Sequence, residues 1–436
     1  MALLDCRDTQ VSLWQHDVVV QSPGFVLHDG GEYHFGKAAL EQSRLRPRDT
    51  NNRFWWQLST QPLKPSLGAA RHTADLVHSH LRAVHGEAGT PDSLTMAVPD
   101  SMPREQLSLL LGVAQACEFR VAGLVSRSVL LGSAALGERN ESSALHVESQ
   151  LNQTIVNELH VENGSLQVLR STPLPACGLL ALQERCVSAI ASAFIQQTRF
   201  DPRRSAGSEQ TLYNRLPEIL ATVAERGEAS VDIEGHRCRV TAAALAGASQ
   251  RLLDGVGQAQ KSTSAPILLD PELALLPGIE QLDGERMTLA PTALWDAWQS
   301  QESQVELGDE EVRLIDRLTI GASASGTDAQ APSAPSDRAA APAETAQEQP
   351  AAASPATTAG ASATHILLGT RALPLRGSRI ELGEGFDLRF AEGHWNLHGS
   401  GALINGIPAS PVQPLALGDT LSLGTAGHGR LIEVVD

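Results

Sequence analysis

The stretch that decides the fold is residues 93–136, SLTMAVPDSMPREQLSLLLGVAQACEFRVAGLVSRSVLLGSAAL. It opens with the apolar run Ser93–Val98, which predicts a buried strand, and continues with leucines at helical spacing over Pro103–Cys117. A second apolar run, Phe119–Val125, precedes the small-residue helix Ser128–Leu136. Strand, helix, strand and helix in this order favour a parallel α/β layer.

The flanking sequence continues the mixed pattern in both directions. We predict two strands at Ala2–Trp14 and Asp17–Gln21, a helix at His72–His85, a strand pair at Ala144–Leu159 and Ser165–Thr172, and a long helix at Leu179–Gln197. A Glu-Asn-Gly turn at Glu162–Gly164 joins the strand pair.

A change of composition after residue 320 marks a domain boundary. Residues 321–364 contain no Val, Ile, Leu or aromatic residue, so they cannot bury enough surface to offset the entropy of ordering. We expect a disordered Ala/Pro/Ser linker there, between a domain at 1–320 and a small all-β sandwich at 365–436. Seven short strands are predicted in the sandwich: Ile366–Leu368, Arg379–Leu382, Phe386–Phe390, His394–His398, Ala402–Ile404, Thr420–Leu423 and Arg430–Val434.

Charge and cysteine content restrict the class of protein. The formal net charge is −17, from 33 basic and 50 acidic residues, which disfavours a nucleic-acid partner. The five cysteines form no C-x-x-C pair, which is typical of free thiols in a reducing cytosol. The first residues, MALLDCRDTQ, lack the apolar core of a signal peptide, and no run of about 18 apolar residues occurs. We therefore expect a cytoplasmic protein without membrane insertion.

Three segments in the first half share order and spacing with one known family. They are Ser22–Val26 with Phe35–Gln42 and Pro47–Thr50, then Ala97–Pro99 with the Arg104–Cys117 helix, and finally Phe119–Leu124 with Ser128–Leu136. They resemble the nucleotide-binding domain of DnaK-type chaperones. The resemblance implies an actin-like (ribonuclease H-type) two-lobed fold and an ATP site between the lobes.

The chemistry of that family is missing from this chain. Such proteins hold the ATP phosphates on two glycine-rich hairpins, where backbone amides approach the phosphates closely. In the first hairpin, at Asp5–Gln10, only Asp5 and Thr9 match, while Arg7 stands at the glycine position and Asp8 adds negative charge. The segment that matches the second hairpin, Glu148–Thr154, has no glycine.

Three further motifs are also lost. Leu40 stands where the family has its catalytic lysine, Ser126–Ser128 lacks the family's glutamate, and Leu269–Glu272 lacks the glycines of the adenosine motif. ATP hydrolysis needs a metal and donors preorganised around the transferred phosphate. We therefore expect a pseudo-ATPase with no catalytic residues, no metal and no cofactor, in which Asp5 and Thr9 are vestigial. ATP would be a ligand only if the chain were a divergent ATP-dependent chaperone.

Two other clusters are weaker candidates. His78 and His80 are two residues apart on a predicted helix, whereas metal-binding pairs on helices prefer i, i+4 spacing. We therefore expect solvated histidines rather than metal ligands. Phe54, Trp55 and Trp56 form an aromatic run that predicts core or a domain interface, with an exposed interaction site as the alternative.

The C-terminal segment has its own resemblance. Leu403–Pro408 and Leu415–Gly424, with turns at Asn405–Gly406 and Gly418–Asp419, resemble the end of forkhead-associated (FHA) domains. That family reads phosphothreonine through an arginine and a serine, but Glu384 stands at the arginine position and the Ser-x-x-His element is absent. Candidate interaction residues are therefore Asn405 and Gly406 in the turn and the substitutes Arg376, Ser378 and Arg379.

These observations favour a non-catalytic scaffold or adaptor that binds one or more proteins. Multiprotein bacterial machines are the setting in which actin-like adaptors are found. Two alternatives remain, a divergent DnaK-family chaperone and a phosphothreonine-dependent signalling adaptor. The chaperone hypothesis is disfavoured because the linker and about 70 further residues leave no room for a peptide-binding domain and a lid.

Overall fold

A computed structural model describes the following residues: 2–16, 18–137, 139, 141–260, 265–305, 312–320, 365–368, 371–375, 379–383, 386–391, 394–399, 403–404, 407–408, 415, 420–422 and 428–432. The chain divides into two compact units, Met1–Ala329 and Gln330–Asp436. The predicted linker at 321–364 lies outside the described residues.

The first unit mixes strands and helices. Its strands are β1 (Ala2–Asp5), β2 (Val11–Gln15), β3 (Val18–Ser22), β4 (Val26–Asp29), β5 (Glu32–Phe35), β6 (Thr50–Asn51), β7 (Pro62–Leu67), β8 (Ala70–His72), β9 (Ser93–Val98), β10 (Arg120–Ser126), β11 (Ser143–Ser149), β12 (Thr154–Glu162), β13 (Ser165–Leu174), β14 (Glu228–Ile233), β15 (His236–Thr241), β16 (Ile267–Leu269), β17 (Arg286–Thr288), β18 (Leu314–Ile315) and β19 (Arg317–Thr319).

The helices of this unit cover the sheets and connect their strands. They are α1 (Lys37–Leu40), α2 (Thr73–Glu87), α3 (Arg104–Gln115), α4 (Arg127–Gly137), α5 (Leu179–Thr198), α6 (Ala206–Arg226), α7 (Ala242–Leu245), α8 (Gln250–Gln260), α9 (Pro271–Ala274) and α10 (Ala293–Val305), with short 3-10 turns at Pro202–Arg204, Ala246–Ala248 and Ile279–Gln281.

Two six-stranded sheets form the frame of the first unit. The first has the order β18-β10-β9-β1-β2-β3, and the second has the order β17-β16-β11-β12-β13-β19. In each sheet, three consecutive strands form an antiparallel meander, and the first strand of the meander also pairs in parallel with a later strand. The parallel layer predicted from residues 93–136 is therefore present, as part of a pattern that occurs twice.

Apolar residues fill separate cores on the two sheets. Leu4, Met96 and Leu110 belong to the core of the first sheet with α2 and α3, and Val147, Phe194 and Ile219 belong to that of the second with α5 and α6. A third core includes Val125 and Leu130 from β10 and α4. Because α4 packs here, its first residue, Arg127, lies next to the ends of strands from both sheets.

The sequence predicted β1–β3, β9–β13 and α2–α5, gave no prediction for the other strands and helices of this unit, including the long helix α6, and was wrong at two turns. Ser93–Val98 is a strand as predicted, and the Asn163-Gly164 turn is confirmed, with positive φ at both residues. Ala2–Trp14 and Ala144–Leu159, however, are each two strands of a hairpin rather than one strand. The alternating pattern hid these breaks because neither turn contains glycine, the usual signal for a reversal.

The second unit contains two antiparallel sheets. Its strands are β20 (His365–Leu368), β21 (Arg371–Pro374), β22 (Arg379–Gly383), β23 (Phe386–Ala391), β24 (His394–His398), β25 (Leu403–Ile404), β26 (Ile407–Pro408), β27 (Thr420–Ser422) and β28 (His428–Ile432). The sheet orders are β21-β20-β28-β27-β25-β26 and β22-β23-β24. Ile366 and Leu421 of one sheet share a core with Leu388 and Leu397 of the other. The sequence missed β21 and β26.

No helix among the described residues combines the length and the apolar character that a membrane crossing requires.

Candidate functional site

The candidate site lies where two hairpin turns of the first unit meet, the turn between β1 and β2 and the turn between β11 and β12. The turn between β1 and β2 carries Asp8, and its carboxylate Oδ1 accepts a hydrogen bond of 2.8 Å from the backbone N–H of Leu151 in the turn between β11 and β12. Thr9 Oγ1 donates to the carbonyl of Ser149 at 3.5 Å. The turns therefore bond to each other directly, and a Leu151 amide that could face an anion faces an internal carboxylate.

The first backbone N–H groups of α5 are also hydrogen-bonded within the protein. The N–H groups of Leu179 and Leu180 donate to the carbonyls of Gln150 and Leu151 at 2.9 and 3.0 Å. Gly178 allows this approach, because a Cβ there would lie 2.2 Å from the backbone of Asn152. The free amides of a helix start are a common phosphate site, but these two are already satisfied by the second turn.

Arg7 lies at the centre of the site. Its Nη1 lies 3.1 Å from Asp270 Oδ2, and it donates to Glu272 Oε2 at 2.8 Å and to Ser149 Oγ at 3.1 Å. The side chain is 9% exposed, so the neighbouring carboxylates compensate a charge that water barely reaches.

A second arginine completes the cluster from the start of α4. Arg127 Nε donates to Asp5 Oδ2 at 3.1 Å, and its Nη2 donates to Asp270 Oδ1 at 2.9 Å. Nη1 also lies 3.6 Å from Glu148 Oε2. One guanidinium thus joins carboxylates that end β1, β11 and β16. We call Asp5, Arg7, Arg127, Glu148, Asp270 and Glu272 the ionic cluster.

Asp270 is the acceptor that both arginines share. Burial opposes its ionisation, but the Arg127 and Arg7 guanidiniums outweigh burial and hold the pKa of Asp270 well below its usual range. The backbone N–H of Ser149 also donates to Asp270 Oδ2 at 2.9 Å. The carboxylate therefore ties the end of β11 to both arginines.

The pKa of Glu148 is shifted in the opposite direction to that of Asp270. Burial raises its pKa to about 8, because the attraction of Arg127 only partly offsets the loss of water and the repulsion by Asp270 and Asp100. Its Oε1 accepts a hydrogen bond of 2.7 Å from Gln150 Nε2. Burial likewise raises the pKa of Asp8 to about 6, against the hydrogen bond from Leu151.

The charge balance of the site excludes a simple anion pocket. Two guanidiniums face the carboxylates of Asp5, Asp270 and Glu272, so negative groups are in excess even when Glu148 is protonated. Within the described residues, no group of His, Cys, Asp and Glu has the arrangement that holds a metal ion. The cluster can hold segments of the fold together. Both of its arginines are already paired with carboxylates, so neither is free to bind a phosphate.

The titration of Glu148 gives a testable pH dependence. Its pKa is about 8 when folded against a usual 4.5, so between these values the unfolded state loses the proton and the folded state keeps it. This group therefore carries no penalty below about pH 4.5, and its penalty grows by roughly 1 kcal/mol per pH unit until about pH 8. Glu148→Gln should remove that decline, as measured by urea unfolding at several pH values.

The control for this experiment is Glu162→Gln, which changes an exposed glutamate at the end of β12. Its unfolding free energy should follow that of the unmodified chain across the pH range. Parallel curves for Glu148→Gln and the unmodified chain would show that Glu148 ionises alike in both states and would contradict the assignment.

The sequence-predicted residues have distinct places in this site. Asp5 accepts from Arg127, and Thr9 lies in the contact between the turns. Leu40, at the position of the family's lysine, ends α1 and packs against Phe25 and Leu151. From the sequence, Arg7, Arg127 and Asp270 were recognised only as residues that lie within lost nucleotide motifs. Their pairing with each other was not predicted.

The histidine prediction was wrong for His80, which is buried rather than solvated. Trp55 Nε1 donates to His80 Nδ1 at 3.0 Å, so the ring proton lies on Nε2 and is donated to Ser22 Oγ at 2.7 Å. Burial lowers the pKa of His80 to about 3. The ring therefore donates to Ser22 and cannot act as its base. Phe54 and Trp55 are core residues, whereas Trp56 is partly exposed.

Of the C-terminal candidates, only Arg379 lies among the described residues. Its Nε is 3.1 Å from Asp387 Oδ2, and Arg389 Nε donates to the same oxygen at 2.7 Å. The hydrogen bond from Arg389, with the charge of Arg379, lowers the pKa of Asp387. Arg376, Ser378, Asn405 and Gly406 lie outside the described residues, as does Glu384.

No protein-family model matches the chain, and no curated protein matches it at a significant level.

Proposed function

We propose that this protein is a non-catalytic scaffold or adaptor. Its first unit would be a DnaK-like, actin-like fold that has lost nucleotide chemistry, and its second unit an FHA-like module that binds protein. The partners would be one or more other proteins, in keeping with the acidic net charge of −17.

The observation that carries this proposal is the direct contact between the two turns. In the resembled family the matching turns hold phosphates between them. Here the Asp8 carboxylate accepts from the Leu151 amide at 2.8 Å, so a carboxylate of the protein occupies the acceptor role of a phosphate oxygen. Arg7 and Arg127, which could face an anion, are engaged by Asp270, Asp5 and Glu272. A calorimetric titration with MgATP tests this, and we expect no binding.

The sheet pattern supports the actin-like part of the proposal. A two-lobed fold of this type requires the same sheet motif twice in one chain. The sheet containing β1–β3 and the sheet containing β11–β13 have matching meanders with parallel strands beside them. The ionic cluster draws on both sheets, as a site between two lobes would.

The alternative of an active, divergent chaperone requires a group to replace the family's lysine. Leu40 packs against apolar side chains and cannot supply positive charge. Nucleotide would also have to separate Asp8 from Leu151 and compete with the internal ion pairs. These contacts favour the scaffold over the chaperone.

For the second unit we propose an FHA-like sandwich that binds protein without reading phosphate. Arg379 lies against Asp387, whose carboxylate also holds Arg389, so a phosphate would have to compete with an existing carboxylate. We expect phosphothreonine peptides to bind no better than their unphosphorylated forms. Chemical-shift mapping on the full chain with a degenerate peptide pool, before and after phosphatase treatment, measures this.

The signalling-adaptor alternative predicts the opposite result. Binding that disappears on phosphatase treatment, and again in Arg376→Ala or Arg379→Ala, would contradict phosphate independence. Arg170→Ala, which changes an exposed arginine of the first unit, is the matched control and should leave any binding unchanged.

A further inference from the structure

A groove of about 690 Å³ crosses the surface of the first unit beside the two turns. One wall is formed by α1 and the residues that follow it, including Leu40 and Arg44. The opposite wall is formed by α5 and α6, including Leu180 and Tyr213. This volume lies within the range of about 300–1,000 Å³ that is usual for ligand sites.

Carboxamide side chains are the distinctive feature of this groove. Gln10, Gln21, Asn52 and Gln183 line it, and none of their side chains forms a hydrogen bond with another described residue. By contrast, the nearby Gln210 side chain bonds to the main chain at Arg44 and Leu40. Each free carboxamide offers two donor hydrogens and an acceptor oxygen, which is the pairing that a peptide main chain requires.

The cations of the groove are already engaged. Lys37 Nζ lies 3.7 Å from Glu41, and Arg44 Nη2 lies 3.5 Å from Glu184. The Arg44 guanidinium also lies over the Tyr213 ring, 3.8 Å from its centroid. An anionic ligand such as a nucleotide or nucleic acid would therefore compete with a surface carboxylate for each cation.

One carboxylate of the groove remains without a counter-ion. Within the described residues Glu209, in the first turn of α6, has no ion pair, so the groove suits a positive charge beside it. Leu40, Leu180 and Pro217 add apolar surface to the lining of the groove. The lining thus combines hydrogen-bonding partners for a main chain, apolar side chains and one unpaired acidic residue.

We propose that this groove binds an extended peptide segment of a partner protein. The carboxamides would form hydrogen bonds with its main chain, and the apolar residues would contact its uncharged side chains. Glu209 would pair with one lysine or arginine. This inference rests on the proposed scaffold function, because it names the kind of partner that the first unit would hold.

Selection from a random displayed peptide library on the full-length chain tests the proposal, with Gln10→Ala/Gln183→Ala for counter-selection. We expect uncharged sequences with one basic residue. In fluorescence polarisation, their binding should weaken about tenfold in the double variant. Glu209→Gln should weaken it about two- to fivefold. Gln61→Ala, an exposed carboxamide outside the groove, is the control and should change nothing.

Enrichment of acidic or phosphorylated sequences would overturn the proposal, as would peptides that bind the double variant as tightly as the unmodified chain. Recovery of no peptide would overturn it too, provided circular dichroism shows the protein folded. MgATP titrated into the same preparation separates the two claims. Heat from MgATP would contradict the loss of nucleotide binding, whereas failed selection without that heat contradicts the groove alone.

Discussion

Replacing Arg127 with alanine is expected to lower the free energy of unfolding by about 3–5 kcal/mol. The guanidinium donates to Asp5 and Asp270 and lies near Glu148, and its side chain is only 4% exposed. Removing one partner of a buried ion pair leaves the other charge without compensation or water. The effect should be large because two carboxylates lose their hydrogen bonds at once.

The measurement is denaturant unfolding of the full chain, followed by tryptophan fluorescence. Five of the six tryptophans, all except Trp395, belong to the first unit, so the signal mainly reports on the unit that contains Arg127. The matched control is Arg139→Ala, which removes an arginine just beyond α4 whose pair with Glu285 is largely exposed. That variant should change stability by about 1 kcal/mol or less.

A second variant separates the lost pair from general damage. If the cost of Arg127→Ala comes from the unpaired Asp270, adding Asp270→Asn should recover part of the stability, because the buried charge is then removed. Equal losses for Arg127→Ala and Arg139→Ala, or additive losses in the double variant, would contradict the role of the ionic cluster.

The local pattern of the sequence was sufficient for the elements of residues 93–136 and their neighbours, but it gave neither α6 nor the strands β4–β8. Ser93–Val98 was predicted to the residue because its apolar run ends at Pro99, and α4 was predicted within one residue at each end. Periodicity alone missed the hairpin at Glu148–Thr154, which lies within one long alternating segment, and only the family resemblance placed a hairpin there. Its turn is held by side chains such as Gln150 and Gln153, whose hydrogen bond at 2.7 Å has no sequence signature comparable to glycine.

The candidate site itself could be predicted only in part. Arg7 and Glu272 are 265 positions apart, and Arg127 and Asp270 are 143 positions apart. Periodicity carries no information about pairs at such separations. The family resemblance named these positions because each departs from a nucleotide motif, but it did not predict that the substituted residues neutralise one another. His80 was mistaken for a solvated residue although its helical spacing from Leu76 and Val84 places it on the buried face of α2.

Nucleotide affinity is the second property for which a large effect is expected. A micromolar ligand gains about 8 kcal/mol on binding, and phosphate contacts supply much of that in nucleotide sites. Here the Leu151 amide bonds Asp8, the first amides of α5 bond carbonyls, and both arginines are held by carboxylates. The negative charges of ATP would also meet an excess of carboxylates. We therefore expect affinity at least about 1,000-fold weaker than micromolar.

Isothermal titration of MgATP into the folded full-length protein at neutral pH measures directly whether the two turns exclude nucleotide. Because the Leu151 amide and both arginines are engaged, we expect no heat beyond dilution up to millimolar nucleotide. Saturable one-to-one binding with a micromolar Kd would contradict this expectation, because such affinity requires that the Asp8–Leu151 contact and the arginine pairs yield to phosphate.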